Sequence, residues 1–412
     1  MTNKSRVTLL VFGTRGEIQP VLALGLGMQA AGYAVQMVTQ TDFYEFVSGR
    51  GLPCVPINFD LRRMEKTRSA EGTYGLLATY QLALQAARQC LAEIWDACKD
   101  TDALVLCDLG IIPGWHVMEK LQVPTFVANF FPEDICHKLW DASLRNRLGS
   151  LKQKVAFTLT SWLILRPFLN GWRKRVLGLP AIRAVKGDLK DYAALGVPML
   201  YAYSPAVFPK PVEWLDTAHV VGYWFLDRPA DWAPSPELVD FLAAGPPPVY
   251  AGFGSVSYHD MQKMTDVVVA ALAQTHQRGI LAAGWSNLGQ RPALSSDFLA
   301  IEGAPHDWLF PQVAAAIHHG GAGTTAIALR SGIPNIIVPF AFDNPFWAWR
   351  IEALGLGVPG IPPQDLTTER LAEALTAVLH DEPMRARREE MSRRLQAEDG
   401  VARALEIFER YL

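Results

Sequence analysis

A short run of histidines, glycines and threonines is the segment of this sequence best suited to bind a ligand. Residues 318–325 read His-His-Gly-Gly-Ala-Gly-Thr-Thr and follow a short apolar run. Small residues let a phosphate group approach the backbone, and the free N–H groups at a helix start bind anions. A neighbouring histidine can donate a further hydrogen bond to a diphosphate. The pattern predicts a phosphate-binding turn; a purely structural strand–turn–helix junction is the alternative.

An adjacent carboxylate and amide, Asp343 and Asn344, follow the next apolar run. Together they accept and donate hydrogen bonds, which suits the vicinal hydroxyls of a sugar. In an open α/β sheet such strand ends are where ligands bind. The alternative is an Asx turn that caps a helix starting near Pro345, and these residues alone leave the two interpretations even.

These candidates lie within a repeated alternation of strands and helices. In the first half we predict strands at 7–12, 34–39, 103–107 and 125–128, and helices at 21–31, 73–99 and 116–121. In the second half we predict strands at 249–253, 280–283, 314–317 and 335–338, and helices at 260–277, 324–330, 346–354, 366–379 and 389–412. Prolines interrupt residues 224–248. The pattern indicates two doubly wound α/β domains joined by a linker.

The composition fits an ordinary globular protein. Its 412 residues, 50% of them hydrophobic and 19% charged, allow two domains of about 200 residues each. The formal charge of −3 argues against a nucleic-acid partner, which needs a clustered basic face. The five cysteines have no C-x-x-C or metal-ligand spacing, as expected of reduced thiols in the cytoplasm.

No apolar stretch reaches the roughly 20 residues that a membrane-spanning helix needs. The nearest, residues 155–169, contains Arg166 and Pro167 and is typical of a helix that packs on protein. Basic residues flank it: Lys152, Lys154, Arg173, Lys174 and Arg175. We expect a cytoplasmic protein, with a membrane-surface segment and peripheral membrane contact as the alternative.

Taken together, residues 318–325 and 339–357 closely resemble the donor-binding signature of family 1 glycosyltransferases. These are inverting, metal-independent enzymes that use UDP-sugars and have the GT-B fold, two Rossmann-like domains facing across a cleft. The sterol glucosyltransferase and bacterial natural-product branch has similar runs at three further places: residues 13–20, 251–256 and 305–311.

The resemblance implies that two loops of the second domain hold the diphosphate: Ser255, His319, Gly321, Gly323 and Thr324. Asp343 and Asn344 would hold the hexose. Asn344 departs from the family, which usually has Gln there, and its side chain has a shorter reach toward the sugar. We expect no resident cofactor, only a UDP-sugar co-substrate, with UDP-glucose as the default.

Glu17 stands where this branch carries Asp and plant relatives carry His, the position of the catalytic base. A carboxylate there can take the proton of the acceptor hydroxyl; an ordinary exposed loop glutamate is the alternative. Asp108 matches the strand-end aspartate that orients a histidine base. Because residue 17 is not histidine, the role of Asp108 stays open.

The pair Asp100 and Asp102 forms a D-x-D sequence, the metal-binding signature of the other major glycosyltransferase fold. It precedes a predicted strand, whereas a metal site would lie at the strand's carboxyl end. A solvated acidic turn is the better interpretation, and we predict no metal.

The resemblance thus implies an acceptor-binding domain at 1–225, a linker at 226–248, a donor domain at 249–395 and a terminal helix at 396–412 that packs back on the first domain. The reaction would transfer glucose, with inversion, to a lipophilic sterol, terpenoid, polyketide or phenolic hydroxyl. The aromatic residues at 126–172 as a group suggest an apolar acceptor pocket, although each residue taken singly fits a core role better: Phe126, Phe130, Phe131, Trp140, Trp162 and Phe168.

Two other functions fit the same fold. A nucleotide-sugar epimerase would bind the donor without an acceptor pocket, and Glu17 argues against it. A non-catalytic partner of another transferase would have lost His319 and Asp343, which this sequence keeps.

Overall fold

The computed structural model describes residues 5–58, 88–136, 163, 165–254, 261–282, 295–340 and 342–412. They form two α/β halves, each built on its own parallel sheet. The strands are largely buried, because helices cover both faces of such sheets. In the first strand, for example, every residue after Arg6 is buried.

Among the described residues, the first sheet has seven strands in the order β3-β2-β1-β4-β5-β6-β7. They are β1 (Arg6–Phe12), β2 (Ala34–Gln40), β3 (Cys54–Ile57), β4 (Ala103–Asp108), β5 (Thr125–Asn129), β6 (Met199–Tyr201) and β7 (Ala218–Val220). The strand order reverses between β1 and β4, where Phe12 lies beside Asp108. Ligands of open α/β sheets bind beyond the strand ends at such a reversal.

The described part of the second half forms a sheet of five strands in the order β10-β9-β8-β11-β12. They are β8 (Val249–Gly252), β9 (Gly279–Ala282), β10 (Phe298–Ile301), β11 (Ala315–His318) and β12 (Asn335–Ile337). Here the order reverses between β8 and β11, and His318 lies beside Gly252. The second sheet therefore has its own ligand-binding edge at residues 318–325.

Helices cover both sheets. The first half contains α1 (Arg15–Ala30), α2 (Tyr44–Ser48), α3 (described over 88–98), α4 (Ile111–Leu121), α5 (Arg166–Trp172), which a π-helical turn (Arg173–Leu177) continues, and α6 (Leu189–Ala194). Then follow α7 (Pro236–Ala243), α8 (Met261–Gln274), α9 (His306–Leu309), α10 (Ala322–Arg330), α11 (Asn344–Ala353), α12 (Thr368–His380), α13 (Glu382–Gln396) and α14 (Gly400–Tyr411).

Aromatic packing joins the halves. The rings of Tyr203 and Trp347 have centroids 6.2 Å apart, and those of Phe208 and Phe346 are 5.2 Å apart. The C-terminal helix α14 then returns to the first half, where the ring of Phe408 lies 4.6 Å from that of Phe126. Both halves are therefore held together beside their ligand-binding edges.

Helix α1 begins six residues earlier than predicted from Pro20. Thr14 is its N-cap, and Thr14 with Glu17 forms a capping box, so Pro20 lies inside the helix. A capping box satisfies two backbone N–H groups at once, and it therefore starts a helix more firmly than a proline does. Gly32 follows the helix end with φ +92°, as expected of a terminating glycine.

The proline-rich segment also differs from prediction, since α7 lies within residues 224–248. Ser235 caps this helix and Pro236 occupies its first turn, where a proline costs no hydrogen bond. The predicted tail helix at 389–412 is two helices, because Asp399 caps a new one at Gly400. The strands β3, β6, β7 and β10 were not predicted; each has three or four residues. The predicted helix at 73–99 is described only from residue 88.

Candidate active site

The turn after β11 needs glycine for two physical reasons. Gly320 has φ +90°, and a methyl group added there would lie 2.5 Å from Cγ2 of Ile337. Gly321 is the N-cap residue of α10, whose first helical residue is Ala322. The backbone therefore runs from a buried strand into a helix start, where the first N–H groups have no partner within the helix and are of the kind that bind phosphates.

His318 has its hydrogen bonds satisfied inside the protein. Its Nδ1 accepts from the N–H of Gly320 at 3.0 Å, so its proton is on Nε2, which donates to Oδ1 of Asn335 at 2.7 Å. Burial lowers the pKa of His318 to about 3. This histidine ties the turn to β12 and has no nitrogen left for a ligand.

His319 is the neighbour with bonding capacity to spare. Its Nδ1 is buried and has no hydrogen-bond partner among the described residues. The ring lies against two glycines: a methyl group on Gly321 would be 2.5 Å from its Nε2, and one on Gly254 would be 3.3 Å from its Cε1. Burial lowers the pKa of His319 to about 4, so the imidazole is neutral at pH 7 and can donate one hydrogen bond.

Asp343 connects the starts of two helices. Its Oδ2 accepts from the N–H of Ala322 at 3.2 Å and from the indole of Trp347 at 2.8 Å, and its Oδ1 accepts from Asn344 at 3.1 Å. Burial raises the pKa of Asp343 to about 7, and the charge of Glu17 adds to the rise. The Asx-turn alternative is wrong, because this side chain makes no capping bond to α11.

Glu17 is held at the start of α1. Its Oε2 accepts from the N–H of Thr14 at 2.7 Å and from the Thr14 hydroxyl at 2.8 Å. Burial raises the pKa of Glu17, and the hydrogen bonds from Thr14 oppose this rise. Oε1 has no hydrogen bond to another described residue. The alternative of an ordinary exposed loop glutamate is therefore wrong, because Glu17 is half-buried and belongs to the capping box of α1.

Asp108 completes a carboxylate pair at the reversal point of the first sheet. A methyl group added to Gly13 would lie 2.7 Å from Oδ2 of Asp108 and 2.9 Å from Oε2 of Glu17. Burial raises the pKa of Asp108 to about 7, and the negative charge of Glu17 adds to the rise. Asp108 also has φ +48°, a strained conformation that is frequent at functional strand ends.

The two half-sites face one another. Helix α1 contacts α10, and the charge of Glu17 reaches Asp343. In the same way, the charge of Arg15 helps to lower the pKa of His306 to about 4, after the larger effect of burial. The structure thus brings together Glu17, Asp108, Asp343 and the turn at His319, although they come from four separate parts of the chain.

The other residues of the predicted site are less constrained by neighbours. Gly323 is exposed, and a methyl group there would have nothing within 4 Å, while Thr324 is half-buried. Ser255 lies outside the described residues. The ligand contacts assigned to these residues stay predictions.

Sequence reasoning missed the residue that holds the Gly13 turn. Gln40, at the end of β2, accepts from the N–H of Gly13 at 3.2 Å and donates to the Gly13 carbonyl. It also missed Trp347 as the donor to Asp343 and Thr14 as the donor to Glu17. Only the Thr14 pair had a local signal, the capping-box spacing of Thr and Glu.

The D-x-D pair lies at the opposite edge of the sheet, before β4. There, Oδ2 of Asp102 accepts from the N–H of Arg6 at 2.7 Å. Over the part of the chain that the structure describes, no group of three or more His, Cys, Asp or Glu side chains is arranged to hold a metal ion.

Two parts of the acceptor-side interpretation need correction. Phe126 is fully buried against α14, so it belongs to the core and not to a pocket. Arg173 is also buried, with both Nη atoms on Glu119 at 2.7 and 2.8 Å, so it is not a free flanking charge for a membrane. Trp140 and Trp162 lie outside the described residues. No helix in the described ranges has the length and apolarity to cross a membrane.

Two protein families match parts of the sequence. The N-terminal domain of glycosyltransferase family 28 matches residues 7–135. The C-terminal domain of the erythromycin biosynthesis protein CIII-like family matches residues 289–405. Each match contains one of the half-sites described above.

Sterol 3-beta-glucosyltransferases are similar to the whole chain. Two from Arabidopsis thaliana are 31% and 33% identical over 99% of this chain, which corresponds to 66% and 68% of their own lengths. One from Aspergillus fumigatus is 33% identical over 99% of this chain but only 30% of its own length. The chain thus spans about two thirds of these plant relatives and less than a third of the fungal one.

Solved glycosyltransferase structures share the fold. The glycosyltransferase of kitacinnamycin superposes with a TM-score of 0.71 at 20% identity, with all of both chains covered. The glycosyltransferase VinC, in complex with dTDP, gives 0.64 at 19% identity over 98% of this chain and 99% of VinC. At these sequence identities the structural similarity shows the fold alone.

Proposed function

The chain belongs to the family 1 glycosyltransferases of the GT-B fold, and from this membership we propose that it transfers a hexose from a UDP-sugar to a hydroxyl of a lipophilic small molecule. Glucose is the proposed sugar, because the similar curated proteins are named glucosyltransferases. Their names also make a sterol the first acceptor to test. Terpenoid, polyketide and phenolic alcohols belong to the same proposed class.

The observation that carries this proposal is the pair of facing half-sites. Asp108 ends β4 at the reversal point of one sheet, with Glu17 beside it in the helix that follows β1, and His319 follows the reversal point of the other sheet. A transferase needs a base for the acceptor on one side and a cradle for the leaving diphosphate on the other. The contact between α1 and α10 supports this division of roles.

In the proposed reaction, Glu17 takes the proton of the acceptor hydroxyl as the oxygen attacks the anomeric carbon. The bond from that carbon to the diphosphate breaks, and UDP leaves with the bonding electron pair. Attack opposite the leaving group inverts the anomeric centre. The neutral imidazole of His319 and the N–H groups at the start of α10 stabilise the charge on the departing diphosphate. We propose that these groups take the place of a metal ion.

Asp343 and Asn344 are the proposed contacts for the hexose. The hydrogen bonds from Ala322, Trp347 and Asn344 hold the carboxylate of Asp343 in one orientation. A fixed carboxylate can accept from two neighbouring hydroxyls of the sugar.

The proposal is tested by mass spectrometry of products after incubation of the pure protein with a donor and a panel of lipophilic alcohols. UDP-glucose and dTDP-glucose should be compared, since the solved VinC structure holds dTDP. We expect a glucoside from UDP-glucose, formed also in excess EDTA. An epimerised donor without acceptor product would indicate an epimerase, and no turnover of any donor would favour a non-catalytic partner.

We also propose that the protein works in the cytoplasm and meets its acceptor at a membrane surface. Its five free cysteines support a reducing compartment. Val176 is exposed and follows the exposed basic residues Lys174 and Arg175 directly in the chain, which supports peripheral contact. Sedimentation with anionic vesicles tests this contact, and binding that survives Lys174→Glu with Arg175→Glu would place it elsewhere.

A further inference from the structure

We propose that Thr14 is a positioning residue, which holds one oxygen of Glu17 so that the other is presented to the acceptor hydroxyl. This inference rests on the proposed function, in which Glu17 is the base.

Thr14 and Glu17 form the capping box at the start of α1. Thr14 donates twice to Oε2 of Glu17, from its backbone N–H at 2.7 Å and from its hydroxyl at 2.8 Å. The hydroxyl oxygen in turn accepts from the N–H of Gly16 at 3.2 Å, which orients its proton toward the carboxylate. With Oε2 held by two donors, Oε1 is the oxygen free to receive a proton.

The surroundings of Glu17 explain why such a hold is needed. The charge of Glu17 raises the pKa values of Asp108, Asp343 and Cys107, so these groups lie within its electrostatic reach. Burial raises the pKa of Glu17 itself, because a buried carboxyl group favours its protonated form. A protonated Glu17 could not act as a base. The two hydrogen bonds from Thr14 favour the ionised form and so keep the base ready.

A helix cap alone would explain the same contacts, and the two roles predict different kinetics. Loss of a cap lowers the stability of the helix and of the protein. Loss of a donor to the base raises the pKa of Glu17. The acid limb of the kcat profile, which is the fall of kcat at low pH as the base becomes protonated, therefore moves to higher pH. Loss of the donor also lowers kcat while the KM for UDP-glucose stays nearly constant, because the proton moves only in the transition state.

The test compares Thr14→Val, Thr14→Ser, Glu17→Gln and the matched cap variant Thr367→Val. Thr367 caps α12 in the second half by accepting from Arg370, so its loss mimics the structural effect at another helix start. At a pH near the acid limb, we expect Thr14→Val to lower kcat about 10–100-fold. We expect Thr14→Ser to restore the rate and Thr367→Val to change only the melting temperature.

The outcomes separate this inference from the proposed function. If Glu17→Gln is inactive while Thr14→Val has the wild-type pH profile and only a lower melting temperature, Thr14 is merely a cap and the inference is wrong. If Glu17→Gln keeps wild-type kcat with an aliphatic alcohol, the base assignment itself fails. A shifted acid limb in Thr14→Val, with rescue by Thr14→Ser, supports both.

Discussion

His318 and His319 are neighbours in the chain with opposite hydrogen-bonding environments. His318 uses both ring nitrogens inside the protein, whereas Nδ1 of His319 has no partner among the described residues. A buried polar atom without a partner is costly in a protein, and a ligand that supplies one removes that cost. We therefore assign the diphosphate contact to His319 and a structural role to His318.

This assignment predicts the effect of crowding the ring. In Gly321→Ala the new methyl group would meet Nε2 of His319 at 2.5 Å, although the φ of −63° at residue 321 permits alanine. The ring must move, so we expect UDP to bind about 10–150-fold more weakly, as for His319→Ala. Calorimetric titration with UDP measures this. Gly303→Ala, whose added methyl has open space, is the control, and equal affinities in all variants would exclude His319 as a diphosphate ligand.

Asp108 links catalysis and stability through its protonation. Its pKa rises from 3.8 to about 7 in the folded chain, mainly through burial. The native state thus keeps a proton that the unfolded state has lost between these pH values, so this group's contribution to stability falls as pH rises from about 4 to 7. We expect Asp108→Asn to flatten this part of the curve of melting temperature against pH. An unchanged slope would show that Asp108 is ionised in the native protein.

The same substitution also makes a kinetic prediction. Because burial keeps Asp108 protonated below about pH 7, Asp108→Asn exchanges one neutral side chain for another in that range, and the acid limb of kcat should stay where it is. Asp96→Asn is the control, because the Asp96 side chain is 69% exposed and pairs with Lys99. A shift of the acid limb of kcat to higher pH in Asp108→Asn would mean that Asp108 stabilises the ionised form of Glu17.

At the scale of elements, a side-chain hydrogen bond joins two neighbouring parallel strands. Oδ1 of Asn335 at the start of β12 accepts from His318 at the end of β11, and both residues are fully buried. β11 and β12 lie in parallel, yet their chain positions are separated by the whole of α10. The hydrogen bond therefore closes the strand–turn–helix unit that presents His319.

Loss of this bond should destabilise the unit. In Asn335→Leu the Nε2–H of His318 is left buried without a partner, which costs about 1–3 kcal/mol of unfolding free energy. Urea titration measures the loss. A double variant with His318→Leu should lose less than the sum of the single variants, because the pair is then removed together. Strict additivity would indicate that the two side chains do not depend on each other.

At the scale of the whole molecule, α14 makes the C-terminus part of the first half. Phe408 is fully buried between Phe126 and Tyr33, with centroid distances of 4.6 and 5.4 Å. The indole of Trp224, which precedes the second half, donates to the carbonyl of Gly400, the first residue of α14, at 3.1 Å. The segment that leaves the first half and the helix that returns to it are therefore in contact. The relative position of the two half-sites thus depends on residues far from both.

Phe408→Ala should therefore destabilise the first half by about 3–5 kcal/mol, as for other buried phenylalanines replaced by alanine. Thermal unfolding with hydrogen exchange would measure the loss and locate it to β1 and α1. Glu406→Ala, at an exposed position of the same helix, is the control and should leave stability unchanged. A loss confined to α14 would show that the helix is an appendage of the first half and not part of its core.

The sequence by itself predicted what depends on local spacing. The alternation of apolar runs with helical segments predicted two doubly wound halves, and the GT-B fold is confirmed by the solved glycosyltransferase structures. Residues 318–325 predicted a strand–turn–helix junction, because the end of an apolar strand is followed there by several glycines, which favour a tight turn. Short strands such as β6 and the helix α7 were missed, since three or four residues carry little periodicity and a cap can outweigh nearby prolines.

The tertiary structure alone decided how the site residues are used. The choice between His318 and His319 depends on Asn335, which lies 17 residues further along the chain. The pairing of β1 with β4 is what brings Asp108 beside Glu17, across a separation that no local pattern records. Hydrogen bonds and charge–charge interactions act between residues that are close in space. The hydrogen bonds and the pKa shift of each carboxylate therefore depend on tertiary packing, and not on the spacing of residues in the sequence.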